Sequence, residues 1–263
     1  MAFGETSVFA RIGYGTRTFL RSYGEVTVLG VRSAAALRRL PRYYRQFSRQ
    51  YIWIGVNSIP LIIATSVFLG LVLGVQIGTQ IDPGTPPRIE AGLILRSVLI
   101  EMGPVVTGFV LAGRVGSAIA AEIGTMKVTE QVDALRTFGI DPVEYLAMPR
   151  ILAATLAMPV LVIYTDFLAI LSGFVSTHFT IDMTWSGFIQ GMQNAFVITD
   201  VWTSLIKGVL MGALISLIGC YFGLATAHGA RGVGRSTTRA VVWSSVGVIA
   251  IDYIISAGLY FVW

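Results

Sequence analysis

Apolar residues are gathered along this chain into five blocks, at about 54–80, 97–120, 150–178, 200–226 and 240–262, with polar stretches between them. Each block is long enough to cross a bilayer as a helix, the form that satisfies its own backbone amides in hydrocarbon. From Gln50 to Ile81 no Asp, Glu, Lys or Arg occurs, a run longer than the roughly 20 residues a crossing needs. The pattern predicts an all-α integral membrane protein: an N-terminal interfacial helix, five transmembrane helices, and cytoplasmic helices between spans 2 and 3. Residues 1–50 form a basic amphipathic segment and 51–263 the five-helix domain, with the informative loop at about 122–146.

Composition agrees. Of 263 residues, 54% are apolar and 13% charged, against roughly a quarter charged in soluble domains, and the mean hydropathy is +0.73. The net charge of +5 does not point to nucleic acid, because the basic residues flank the spans. Nine arginines precede the first span; Arg114, Lys127, Arg136 and Arg150 surround the second connection; Arg231, Arg235 and Arg239 lie in the fourth. Arg88 and Arg96 fall in or beside the first connection, Lys207 lies inside a span, and the third connection (179–199) has no basic residue. The positive-inside rule then predicts a cytoplasmic N-terminus and an outer Trp263. No cleaved signal peptide is expected. Cys220, in LIGCYFG, reads as membrane-buried packing.

Before the first span, Val26, Leu29, Leu37 and Leu40 alternate with Arg32, Arg38, Arg39, Arg42, Arg45 and Arg49, which predicts a helix in the interface, broken at Pro41. Small residues recur at helical spacing as Ser66, Gly70, Gly74 and Gly78, then as Gly108, Ala112, Gly116, Ala120 and Gly124. Such faces let helix backbones approach closely in lipid.

The second connection, EIGTMKVTEQVDALRTFGIDPVEYLAMPRIL, carries helix signals of its own. Val128, Val132 and Leu135 share one face, Gly139 ends a helix, and Asp141, Pro142 and Glu144 have the spacing of a capped second start. A helix across the cytoplasmic mouth is a docking surface. Glu122, Lys127, Glu130, Asp133, Arg136 and Asp141 are its candidate contact residues. Neither Lys127 nor Lys207 follows a glycine, so this chain lacks the phosphate-loop pattern and any ATP is bound elsewhere.

Read from Gly103 to Arg150, GPVVTGFVLAGRVGSAIAAEIGTMKVTEQVDALRTFGIDPVEYLAMPR resembles the signature of the MlaE family, the permease subunits of bacterial lipid ABC transporters associated with MCE proteins. MQNAF (192–196) with Lys207, RSTTRAVV (235–242) and IDYI (251–254) extend the similarity. The resemblance implies a homodimeric permease domain in the bacterial inner membrane. Two copies of a cytoplasmic ATPase, holding ATP and Mg, would dock on the loop. A periplasmic ring of MCE-domain subunits and, in some systems, a STAS-domain protein complete the set. The implied cargo is phospholipid or a related lipid, and no cofactor, metal or catalytic residue is expected in this chain.

Four ionisable residues fall inside spans, where they are costly and mark function by default: Glu101, Asp166, Lys207 and Asp252. At about 1.5 Å per residue, Glu101 lies roughly 8 Å below the start of its span and Lys207 roughly 10 Å below Asp200, so their depths match. Lys207 is expected to pair with Glu101 or Asp252, the group lining or bracing a pocket that opens outward between protomers. Val67, Leu71 and Val75 are the apolar wall candidates; Phe109, Tyr164 and Phe167 are further ones. His178 and His228 are isolated and read as interfacial. A hydrolase built on Ser117, His178 and Asp166 is excluded by their different depths. A channel is disfavoured by charges confined to the outer half, while a non-transporting scaffold keeps the same docking loop and stays open.

Overall fold

The computed structural model describes residues 8–80, 86–227 and 229–262. His228 and Trp263 lie outside the described residues. Helix α1 (Val8–Ala36) passes through a 3-10 stretch (Leu37–Tyr43) containing Pro41 into α2 (Tyr44–Gly55), and a short turn leads to α3 (Ile59–Gln80). Next come α4 (Pro87–Ser97), α5 (Gly103–Leu111) and α6 (Ser117–Val128), joined by π-helical turns at Val98–Met102 and Ala112–Gly116. Helix α7 (Gln131–Thr137) fills the second connection. A third π turn, Val143–Ala147, opens α8 (Met148–Ile181); then follow α9 (Trp185–Ala195), α10 (Ile198–Leu224) and α11 (Ala230–Val262).

Among the described residues, five stretches are long and apolar enough to cross a membrane: Leu20–Gln80, Pro87–Val128, Val143–Ile181, Ile198–Leu224 and Ala230–Gly258. Each contains most of one predicted block. The boundaries correct one expectation. The capped start at Asp141 is no separate helix but the opening of the third span, since Val143 donates its N–H to Asp141 Oδ1 at 2.9 Å and the chain stays helical to Ile181. Val128 likewise closes α6, and only Val132 and Leu135 of the expected stripe lie on α7. Glu130 sits between them with φ 63°, a left-handed turn that lets α7 fold back on α6.

Both small-residue stripes pack inside the chain. Ser66, Gly70 and Gly74 are buried against α8: a Cβ on Gly70 would stand 2.0 Å from the Ala169 carbonyl oxygen, and one on Gly74 2.5 Å from Ser176 Cβ. The second stripe meets α10, α11 and the turn between them, Gly108 at Val248, Gly116 at Ile215 and Gly124 at Thr226. Apolar burial gives helices little reason to associate in lipid, so close backbone contact of this kind carries the packing. Ile54, Ile62, Ile119, Met158 and Ile215 belong to the main core, as does Cys220.

The helix α9 in the third connection was not expected. Thr184 Oγ1 caps it by accepting the Gly187 N–H at 3.2 Å. Phe188 is buried in a second apolar cluster with Ala91 and Ile94 of α4. Gly191 is glycine for a reason: a Cβ there would lie 2.2 Å from the Arg88 carbonyl oxygen. At the end of α8, His178 Nδ1 donates to the Met183 carbonyl at 2.9 Å.

Helix α1 is tied down at the arginine-rich end. Leu29 is buried, Gly30 faces Leu217 of α10, and the Tyr221 hydroxyl donates to Glu25 at 3.1 Å. Arg32 pairs with Asp141, and Arg39 with Glu144, each at 2.7 Å.

Candidate functional site: a buried lysine and a docking end

Pro104 sets up the site. It has no N–H to give the carbonyl four residues earlier, which is that of Ile100, at the centre of the Val98–Met102 π turn. Lys207 of α10 donates to that oxygen at 2.6 Å. Its ammonium also donates to Asp252 Oδ1 at 2.5 Å and Ser256 Oγ at 2.8 Å, both on α11, and lies 3.8 Å from Glu101 Oε1. Ser256 in turn donates to Glu101 Oε1 at 2.9 Å. The lysine side chain is 0% exposed, whereas that of Asp252 is 15% and that of Glu101 42% exposed. A buried ammonium persists only with its protons satisfied and a counter-charge beside it, and here all three protons are used. The group is closed at Lys207 and opens to the surface at Glu101.

Towards the α4–α9 end, the same face of α10 carries Ser204 and Asp200, one and two turns away. Ser204 donates to Asp166 Oδ2 at 2.8 Å, and Arg96 donates to Asp200 Oδ2 at 3.0 Å. Asp166 Oδ1 is buried without a partner, packed where a Cβ on Gly103 would clash at 1.7 Å. Asp166 therefore holds α10 to α8 beside the lysine group rather than inside it.

At the arginine-rich end, Lys127 donates to Asp133 Oδ2 at 2.8 Å and Arg136 to Asp133 Oδ1 at 3.0 Å, fastening α7 to α6. The hydrogen bond from Lys127, with its charge and that of Arg136, holds the Asp133 carboxyl below the usual range. Val132 is buried under this clasp while Phe138, at the tip of α7, is 80% exposed. Gly139 follows with φ 74°, a conformation glycine adopts without strain. Phe138 thus stands exposed at the end of a short, ion-clasped helix.

Residues 47–257 match the family model described as Permease MlaE. The chain belongs to the MlaE permease family. A probable ABC transporter permease protein of Rickettsia felis is 37% identical over 245 residues, 93% of this chain and 95% of that one. The Haemophilus influenzae protein named intermembrane phospholipid transport system permease protein MlaE is 30% identical over 248 residues, 92% of this chain and 93% of its own. The chloroplastic protein TRIGALACTOSYLDIACYLGLYCEROL 1 of Arabidopsis thaliana is 35% identical over 215 residues, 82% of this chain and 61% of the plant protein.

In this MlaE-family permease, Glu101, Lys207 and Asp252 meet as expected, with Asp252 rather than Glu101 the nearer partner. Ser256 and the Ile100 carbonyl were missed, although Ser256 stands one turn from Asp252 on the same helix face. Val67 and Leu71 are half-buried and Val75 exposed on α3, whose main partner is α8, so a single chain does not bring them to the lysine. Of the loop candidates, Lys127, Asp133 and Arg136 form one cluster with Glu130 exposed beside it. Glu122 instead pairs with the buried Arg150 at 2.8 Å, and Asp141 with Arg32. Ser117, His178 and Asp166 bond to separate groups and form no triad.

Proposed function

We propose that this chain works as one half of a homodimeric membrane unit that moves phospholipid or a related lipid between the bacterial inner membrane and a periplasmic MCE protein. A separate ATPase holds ATP and Mg and supplies the energy; a STAS-domain subunit joins in some assemblies. The Haemophilus relative's name supports the phospholipid cargo. The arginine-rich end faces the cytoplasm and the α4–α9 end the periplasm, in keeping with the basic residues gathered at the former.

The observation that carries the reading is the Lys207 group. A fully buried lysine bridging three helix segments is costly in a bilayer, and as a two-carboxylate, one-ammonium device it is suited to hold α10, α11 and the Val98–Met102 turn in register while Glu101 presents charge to a lipid headgroup. Val67, Leu71 and Val75 supply apolar wall when the second protomer completes the pocket. ATP binding on the partner pushes on α7 through Phe138, Glu130 and the Asp133 clasp, and the shift passes along α6 and α5 to the pocket.

Reconstitution tests this. The chain with the ATPase and MCE protein encoded beside it should transfer fluorescent phospholipid between vesicles only with ATP. Asp133→Lys should uncouple transfer from hydrolysis, or detach the ATPase, while leaving the permease folded. Normal assembly and transfer by Asp133→Lys would remove α7 as the docking element.

A further inference from the structure

At the arginine-rich end, α2, α6 and the opening of α8 enclose a cavity of about 690 Å³. It lies away from the lysine group: along α8, Arg150 stands about 24 Å from Asp166 at 1.5 Å per residue. The polar lining is Gln46, Arg49, Gln50 and Asn57 from α2 and the turn after it, Glu122 from α6, Tyr145 from the Val143–Ala147 turn, and Arg150 from α8. Ile52, Trp53, Met126 and Leu146 form its apolar walls.

Two lining atoms are buried and unpaired, Arg150 Nε and Gln50 Oε1. Arg150 is 5% exposed and fixed from two sides, Nη1 donating to the Leu146 carbonyl and Nη2 forming an ion pair with Glu122, each at 2.8 Å. Its Nε–H is thus held in place with no acceptor, a state proteins rarely leave uncompensated. Glu122 offsets one of the two arginines, so Arg49 leaves the lining with a single positive charge. A ligand matched to this lining brings an acceptor for the guanidinium, a donor for an amide oxygen, one negative charge, and an apolar continuation along Ile52 and Trp53. A phosphodiester flanked by a hydroxyl or ammonium and joined to acyl chains meets all four conditions. Trp53 and the adjacent arginines, Arg114 lying 5.5 Å over the Trp53 ring, are the residue types that sit at headgroup depth.

We propose that this cavity binds the headgroup of a glycerophospholipid from the leaflet at the arginine-rich end, its phosphate on Arg150 and Arg49. The site needs only a chain that spans a bilayer, so it stands whether or not the transport reading holds.

Native mass spectrometry of the delipidated full chain, titrated with dioleoylphosphatidylglycerol, tests it. Arg49→Gln with Gln50→Leu leaves the Arg150–Glu122 pair intact and should weaken one lipid-binding event by about tenfold or more, the loss of one charge-assisted contact. Arg150→Lys, which keeps the charge beside Glu122 and loses the Nε–H, should weaken the same event. Dioleoylglycerol, lacking the phosphate, should not fill the site, and neither should inorganic phosphate or glycerol 3-phosphate, lacking the chains. Unchanged affinity in both variants, or equal binding of dioleoylglycerol, would overturn the site. Free phosphates bound as tightly as the lipid would overturn the lipid as its occupant.

Discussion

Lys207→Met removes the only ammonium from a group that keeps two carboxylates. Three hydrogen bonds go with it, those to Ile100, Asp252 and Ser256, and Asp252 is left 15% exposed with no counter-charge. Breaking a buried ion pair from one side costs about 3–5 kcal/mol. Asp252→Asn leaves Lys207 with Glu101 at 3.8 Å and its other two acceptors, so its cost is the lower figure of about 2–3 kcal/mol for a charged hydrogen bond. In the double variant neither charge remains to be stranded, and Glu101, 42% exposed, is solvated. The double should therefore cost no more than Lys207→Met alone, against about 5–8 kcal/mol if the singles added. The assay is equilibrium unfolding in mixed micelles, run as a double-mutant cycle. Singles that sum to the double within about 0.5 kcal/mol would show that Lys207 and Asp252 do not act on each other, and the site as built here would be wrong.

Three further outcomes follow from the geometry. Gly70→Ala places a methyl 2.0 Å from the Ala169 carbonyl oxygen and should destabilise by about 1–3 kcal/mol or more through forced separation of α3 and α8, while Gly113→Ala, with nothing within 4 Å, should leave thermal unfolding unchanged. Asp141→Ala should cost about 1–2 kcal/mol and Asp141→Asn less than about 1, because the cap on Val143 matters more than the exposed pair with Arg32. Asp133 has its carboxyl lowered from 3.8, first by the Lys127 hydrogen bond. Its contribution is thus complete above about 4 and lost as pH falls through the lowered value; amide protection in 131–137, taken relative to the intrinsic exchange rate at each pH, should fall only there, and Asp133→Asn should abolish that fall.

The spans were legible because hydrocarbon thickness sets a length that five apolar blocks meet without competition from other periodicities. The lysine pairing was legible too, since equal depth in a bilayer restricts partners far more than position in a soluble core does. The π turns were not. Two of the three lie where Pro104 and Pro149 interrupt the i to i−4 ladder, and which carbonyl is freed depends on a donor from another helix, as Lys207 supplies for Ile100; the third, Ala112–Gly116, has no proline. Helix α9 carried a readable cap at Thr184 and apolar Phe188, but its connection was read for its missing basic residues and for the MQNAF resemblance, not for helix signals. Asp141 shows the opposite failure: its capping signal was correct, yet the helix it starts is a membrane span, a continuity that local signals cannot distinguish from a short loop helix.

Native mass spectrometry of the detergent-extracted chain, purified together with the products of its neighbouring genes, tests the transporter reading most directly. A lipid-transporting permease gives a dimer of this chain carrying two ATPase subunits and co-purified phospholipid. A lone chain with neither ATPase nor lipid would contradict that reading and leave a membrane scaffold in its place.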